Sequence, residues 1–221
     1  MSSEQVADAS RLRITEIFHS LQGESSYVGL PTVFVRLTGC PLRCHYCDTA
    51  YAFSGGEWMS LTDIRAQVAS YGAQQVCVTG GEPLAQKACI ELLSALCDEG
   101  YNVSLETSGA MDICAVDARV SRIMDLKTPA SGEEVKNRYE NIPCLSQHDE
   151  VKFVICDRAD YEWARSMIEE YQLLAKTRVL MSPEHQNLPA SELADWILQD
   201  RLNVRFQLQL HKYLWNNQPG R

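Results

Sequence analysis

Two hydrophobic periods alternate along this chain. Short β-branched, apolar runs occur at 32–37 (TVFVRL), 75–79 (QVCVT), 103–106 (VSLE), 122–126 (RIMDL), 151–155 (VKFVI), 178–181 (RVLM) and 204–210 (VRFQLQL). They read as strands. Between them, apolar residues recur at helical spacing: Leu61, Ile64, Val68 and Tyr71; Ile90, Leu93, Leu96 and Cys97; Ala164, Met167, Ile168 and Tyr171; Leu193, Trp196 and Ile197. Each stripe predicts the buried face of a helix. Ser60, three residues before Asp63, opens the first with a capping-box-like start. Strands separated by helices predict parallel βα units. About six units fall short of an eightfold barrel, which takes about 250 residues. The expected fold is therefore α/β, a partial, open βα barrel. Positions 131–145 lack either period and predict a long loop or irregular helix. No repeat, low-complexity segment or interdomain linker stands out, so 13–221 reads as a single domain.

The first residues are polar and carry acids, with no basic start and no apolar run. That is not a signal peptide, and 1–12 is expected to be a flexible tail. Nothing approaches the roughly 18–20 apolar residues of a transmembrane helix. Of 221 residues, 45% are hydrophobic and 22% charged, with a formal net charge of -9. An acidic chain argues against nucleic-acid binding driven by phosphate contacts, while leaving room for a local basic pocket. Nine cysteines is a high, odd count. Secreted disulfide scaffolds are usually shorter and evenly paired. Reduced thiols and a cytoplasmic location are expected.

Three of those cysteines stand together. Cys40, Cys44 and Cys47 form C-x3-C-x2-C within 39–49 (GCPLRCHYCDT), directly after a predicted strand. The C-terminal end of a barrel strand is where active-site loops sit. A loop with Gly39 and Pro41 can turn three sulfurs one way. Thiolates select zinc or iron–sulfur clusters. Three sulfurs suit a [4Fe–4S] cluster with one open iron, whereas an electron-transfer cluster normally has a fourth cysteine. Structural zinc wants four ligands, and no second C-x2-C is present; His45 or a distant residue would have to serve. Cys77, Cys89, Cys97, Cys114 and Cys156 read as small buried hydrophobes, and Cys144 has no assignment. A second motif, 79–83 (TGGEP), also follows a strand. Its two glycines allow close backbone approach to a ligand, and their carbonyls with Glu82 can accept from an ammonium group.

C-x3-C-x2-C with Tyr46 before its last cysteine, followed by GGEP, resembles the radical S-adenosylmethionine (SAM) superfamily. A narrower likeness covers nearly the whole chain from about Ile14. LQGE at 21–24, FVR at 34–36, CDT at 47–49, ETSG at 106–109 and HKYLW at 211–215 resemble the 7-carboxy-7-deazaguanine synthase family. That resemblance implies conversion of 6-carboxy-5,6,7,8-tetrahydropterin to 7-carboxy-7-deazaguanine with loss of ammonia, on the way to queuosine and related deazapurines. It implies a [4Fe–4S] cluster, SAM and Mg²⁺, a homodimer and a flavodoxin-type electron donor.

The resemblance also implies roles. Cys40, Cys44 and Cys47 would hold three irons, and the fourth iron would chelate SAM, cleaved reductively to a radical that takes hydrogen from the pterin. Thr49 would meet Mg²⁺. Leu21, Gln22, Gly23, Glu24, Arg36, Thr79 and His211 would meet the pterin, with Arg36 on its carboxylate. Tyr46, Cys47, Asp48, Gly81, Glu82, Glu106, Ser108, Asp125, Leu126, Lys127, Ser182, Pro183, Glu184 and His185 would meet SAM; Thr107 stands within the same run. Three segments depart from the family pattern. DLK at 125–127 stands for serine-proline-lysine, and SPEH at 182–185 keeps only the proline of glutamine-proline. LQGE is followed by Ser25 instead of glycine, which removes easy access to positive φ. Two rivals share single features: a radical SAM enzyme acting on a protein or peptide, and a non-enzymatic zinc or iron–sulfur docking module. The second would need four metal ligands and no GGEP.

Overall fold

The computed structural model describes residues 10–216, 218 and 220. Nine strands make one open sheet in the order β3-β1-β2-β4-β5-β6-β7-β8-β9. They are β1 (Arg11–Leu21), β2 (Pro31–Leu37), β3 (Glu57–Ser60), β4 (Gln75–Gly80), β5 (Asn102–Thr107), β6 (Ser121–Asp125), β7 (Glu150–Ile155), β8 (Arg178–Pro183) and β9 (Arg205–Phe206). From β2 onward every neighbouring pair up to β9 is parallel. The helices are α1 (Leu61–Ser70), α2 (Cys89–Asp98), α3 (Arg158–Glu170), α4 (Leu173–Lys176), α5 (Ala190–Gln199) and α6 (Leu210–Trp215). The expected partial barrel is thus present, and its sheet stays open.

Two strands carry no clear signal in the sequence. β1 and β3 pair antiparallel, β1 lying between β2 and β3. RLRITEIFHSL shifts register between Ile14 and Glu16, so the side chains turned to the core change parity from Leu12 and Ile14 to Ile17 and no single alternation runs through the strand. Residues 1–9 lie outside the described residues, but Arg11 and Leu12 of the expected tail are already strand, with Leu12 fully buried. The 204–210 run shrinks to two residues of β9, and Leu210 opens α6. The aperiodic 131–145 stretch is a string of tight 3-10 turns: Pro129–Ser131, Glu134–Lys136 and Tyr139–Cys144.

Ser60 caps α1 as expected, its hydroxyl accepting from the Asp63 N–H at 3.1 Å. The buried face of α2 is Cys89, Leu92, Leu93 and Leu96, so the face is rotated from the predicted stripe and Ile90 and Cys97 lie at its margin. Cys77, Cys89 and Cys156 are buried thiols, as expected. Cys114 is not: it is exposed and disulfide-bonded to Cys144. That corrects the expectation of reduced thiols throughout.

The strands sort their side chains by parity. Val33, Val35 and Leu37, Val76 and Val78, Val103 and Leu105, Met124, Val151, Phe153 and Ile155, Val179 and Met181 all join the core beneath the helices. The alternate positions Phe34, Arg36, Thr79, Glu106, Ile123, Asp125, Lys152 and Val154 line a cavity on the other face. Burying a Val or Leu in such a core contributes about 1.5–3 kcal/mol, so the outer face supplies the stability. The inner face is left free for chemistry.

Arg122 is the charged exception on the outer face. It is buried and meets Asp149, Nε at 2.9 Å and Nη2 at 2.6 Å. Burial would raise the Asp149 carboxyl, but hydrogen bonds from Arg122 and Ser146 pull it below its ordinary value. Its stabilisation is therefore complete above the unfolded-state pKa and is lost as acid titrates through the lower folded value. Asp149→Ala, which strands a buried guanidinium, is expected to cost about 3–5 kcal/mol in a denaturant titration at neutral pH; a change near zero would contradict this role.

Candidate active site

The cavity is bounded at one end by the cysteine loop and at the other by LQGE. The cysteine loop leaves β2 at Leu37, at the C-terminal ends of the parallel strands. LQGE reaches the opposite mouth because β1 runs antiparallel: Leu21 pairs with Pro31, where β2 begins. Ser26 N–H then donates to Glu150, the first residue of β7, at 3.1 Å. Ser25 takes positive φ, 65°, despite not being glycine. It is fully buried, and its N–H donates to Gln207 Oε1 at 2.9 Å.

Gly39 turns the cysteine loop at φ +99° and donates to the Ala52 carbonyl at 2.8 Å. The TGGEP turn packs directly on it. A Cβ at Gly81 would lie 2.3 Å from the Gly39 carbonyl oxygen and 2.7 Å from Cys40 Cβ. One at Gly80 would lie 2.4 Å from the Leu37 oxygen. The glycines thus permit two backbones to touch. Glu82 accepts from Thr107 Oγ1 at 2.9 Å, from the Ser108 N–H at 2.7 Å and from the Leu84 N–H at 3.0 Å. Its side chain is a buried brace between the GGEP and ETSG turns.

Cys40, Cys44 and Cys47 are free, half-buried thiols lining the same cavity. Burial pushes all three thiols up, Cys44 to about 11, while Lys127 works against it. Ligation would require their deprotonation. Among the described residues, no three His, Cys, Asp or Glu side chains converge closely enough for a single metal ion. Three soft sulfur donors on one loop suit an iron–sulfur cluster with one open iron, whereas structural zinc takes four ligands.

The inner face carries a continuous chain of charge. Glu24 meets Lys152 at 2.5 Å, Lys152 meets Asp125 at 3.4 Å, and Asp125 meets Lys127 at 2.9 Å. Burial opposes charging, but Lys152 holds the Glu24 carboxyl down, and Lys127 and Lys152 hold Asp125 down. The two lysines are held up in turn. Asp125 Oδ1 and the Tyr46 hydroxyl are buried without a partner among the described residues. Beside this chain, Gln22 donates to Glu106 at 3.2 Å and Thr79 to Glu106 at 3.1 Å. Arg36 Nε donates to Glu16 at 2.7 Å, and Tyr51 donates to the same oxygen at 2.8 Å.

Helix α6 closes the side of the cavity. Leu210 N–H donates to the Gly23 carbonyl at 3.0 Å, and a Cβ at Gly23 would lie 2.5 Å from His211 Nδ1. Lys212 Nζ lies 3.3 Å from Asp48 Oδ2, and Thr49 Oγ1 donates to Asp48 Oδ1 at 2.8 Å. Against the effect of burial, Lys212 and Thr49 lower the Asp48 carboxyl.

Most of the expected site residues line this cavity: Leu21, Gln22, Gly23, Glu24, Arg36, Tyr46, Asp48, Thr49, Thr79, Gly81, Glu106, Thr107, Ser108, Asp125, Lys127, Glu184 and His211 join the cysteines. Five are not brought to it. Glu82 is turned into its brace. Leu126, the residue after β6, is fully buried in the core. Ser182 is buried with no hydroxyl partner among the described residues, and Pro183 shares its strand end. His185 packs edge-on to Tyr213 at 5.7 Å. Sequence reasoning missed Lys152, Lys212, Gln209, Phe18 and Tyr51, which also line the cavity. Lys152 had a signal: a lysine at one parity of the otherwise apolar VKFVI.

Fold and site together define a class. The Radical SAM superfamily model matches residues 34–172, so this is a radical SAM protein. The full-length likenesses narrow it. A 7-carboxy-7-deazaguanine synthase of Koribacter versatilis is 45% identical over 92% of this chain and 97% of its own length. Those of Chlorobaculum tepidum (47%, over 93% and 94%) and Methanospirillum hungatei (38%, over 96% and 89%) agree. The chain belongs to the 7-carboxy-7-deazaguanine synthase family. In fold, it superposes on crystalline QueE from Escherichia coli with a TM-score of 0.77 at 23% identity, covering 95% of this chain and 99% of that one.

The tight contact at Gly81 is directly testable. Gly81→Ala is expected to keep its circular dichroism but to lose most iron and sulfide after anaerobic reconstitution, because the added methyl displaces Cys40. Wild-type loading would contradict the contact.

Proposed function

We propose that this chain converts 6-carboxy-5,6,7,8-tetrahydropterin to 7-carboxy-7-deazaguanine with release of ammonia, a lyase step toward queuosine and other 7-deazapurines. The observation that carries it is the meeting, in one cavity, of three free cysteine sulfurs with the Gln22–Glu106–Thr79 set and Arg36. Cys40, Cys44 and Cys47 would hold a [4Fe–4S] cluster, with SAM against Gly81, Ser108, Asp125 and Lys127. When bound, cluster and SAM supply one-electron bond cleavage and hydrogen abstraction.

The chain's own residues bind and orient. Arg36 spends Nε on Glu16, and its terminal nitrogens make no hydrogen bond among the described residues. Those two donors suit a carboxylate in bidentate fashion. Burial works against the guanidinium's charge, but Tyr51 and Glu16 raise its pKa, so the charge is retained. Gln22 and Thr79 fix Glu106, giving a preset row of donor and acceptor groups for a pyrimidinone edge. Gly23 keeps its place only without a side chain, against His211.

Mg²⁺ belongs to the same proposal. Thr49 offers a single hydroxyl oxygen, too little to hold the ion alone, so substrate and water would complete its shell. The reading further includes a homodimer, a flavodoxin-type electron donor and a cytoplasmic location, without nucleic-acid or membrane partners. The net charge of -9 is in keeping with the lack of a nucleic-acid partner. No helix among the described residues is long and apolar enough to cross a membrane.

Anaerobic mass spectrometry of reconstituted protein with SAM, dithionite, Mg²⁺ and the pterin tests the reaction. Product is expected, and none from Cys44→Ala; 5′-deoxyadenosine without product would favour the protein-modifying rival. Arg36→Ala should raise KM for the pterin about ten- to a hundredfold with iron content intact; an unchanged KM removes the carboxylate role. Thr49→Ala should abolish stimulation by Mg²⁺, and undiminished stimulation would release Thr49 from the metal.

A further inference from the structure

The disulfide between Cys114 and Cys144 lies apart from the catalytic cavity, and neither cysteine lines it. Its Cα atoms are 5.4 Å apart across a sequence separation of 30. The remaining seven cysteines are free thiols. Three of those face the cavity, Cys77, Cys89 and Cys156 are buried, and Cys97 is half-buried. Cys114 is exposed and Cys144 half-exposed, so external thiols can reach this bond.

The segment that the bond closes matters. It contains β6, Asp125 and Lys127, and then the 3-10 turns 129–144. Those turns hold the cysteine loop from behind. His45 N–H donates to the Ser131 carbonyl at 3.0 Å, and Arg43 N–H donates to Glu133 Oε1. Gly132 leaves only enough room for the His45 ring, since a Cβ there would come within 2.8 Å of it. At the far end, Asn141 donates to the carbonyls of Gly109 at 3.0 Å and Met111 at 2.8 Å. Arg122 donates to the Cys144 carbonyl at 2.8 Å. The disulfide thus fastens the end of the brace to the turn that follows ETSG.

We infer that Cys114 and Cys144 form a reversible thiol–disulfide site, open to small thiols of the glutathione or dithiothreitol class, that tightens the 129–144 brace behind the cysteine loop. An external thiolate attacks the exposed Cys114 sulfur and Cys144 leaves as a thiolate. A second external thiolate resolves the mixed disulfide and frees Cys114. Two electrons and two protons pass to the cysteines, and one external disulfide forms; reoxidation reverses the exchange. Asn141 and Arg122 remain in either state, so reduction loosens the brace without releasing it. The inference does not depend on the reaction proposed above.

The test uses the full-length, cluster-loaded protein under argon. It is equilibrated with reduced and oxidised dithiothreitol at graded ratios, quenched by alkylation, digested and analysed by mass spectrometry. The peptides of Cys114 and Cys144 are expected to pass together, in one step, from linked to doubly alkylated. Limited proteolysis within 129–144 should become several-fold faster in the reduced form, and Tm should fall by about 5–10 °C. Cys114→Ser, a change at an exposed position, should show the faster cleavage in every buffer. Four results would overturn the inference: thiols at every ratio, a bond that resists reduction until the protein is denatured, equal cleavage in both forms, or a Cys114→Ser protein cleaved like the oxidised one.

Discussion

Lys152 stands in mid-strand on the inner face, between Glu24 from the LQGE loop and Asp125 from the neighbouring strand. Burying one such charge is costly unless it is paired. Here the pairing is complete only when the loop after β1, β6 and β7 occupy their places together. Lys127 extends the chain to Tyr46, with its Nζ 6.0 Å from the ring centre, and so to the cysteine loop. One run of alternating charge therefore ties the expected pterin end of the cavity to the expected cluster end. Removing any member strands its neighbour.

That interior depends on strand parity. The outer positions are nearly all apolar and carry the stability of the fold, so the inner ones are released from packing and can be charged. Glycine acts where two backbones must meet. Gly81 sets the GGEP turn against Cys40, and Gly23 admits His211. The cavity is a space between loops held at fixed separation by these contacts, and Glu82 locks the GGEP turn to ETSG.

Much of this was legible in the sequence. Strands β2 and β4 to β8 and the capped α1 were read from periodicity, because apolar parity and capping chemistry are local signals. The cysteine triplet and TGGEP marked the site, since soft ligands at such close, fixed spacing are rare outside metal and cluster sites. β1 and β3 were illegible for physical reasons: a register shift between Ile14 and Glu16 breaks the alternation of β1, and β3 is a four-residue, half-exposed edge strand with little to bury. Lys152 was missed because one lysine in an apolar strand reads as an interruption until its two carboxylates, 128 and 27 residues away in sequence, arrive beside it. The Cys114–Cys144 bond was hidden because nothing in the spacing of nine cysteines says which two are neighbours. Glu82 and Leu126 were placed at the ligand by motif, and the structure turns both away from the cavity.

The most direct test of this interior is turnover by cluster-loaded Lys152→Met, with iron and sulfide measured on the same sample. Asp125 keeps Lys127 at the cluster end, so iron and sulfide are expected near wild type, while the stranded Glu24 at the other end lowers kcat/KM for the pterin about a hundredfold, with Lys152→Arg recovering part of it. Near wild-type turnover by Lys152→Met would contradict the dependence of the site on this residue.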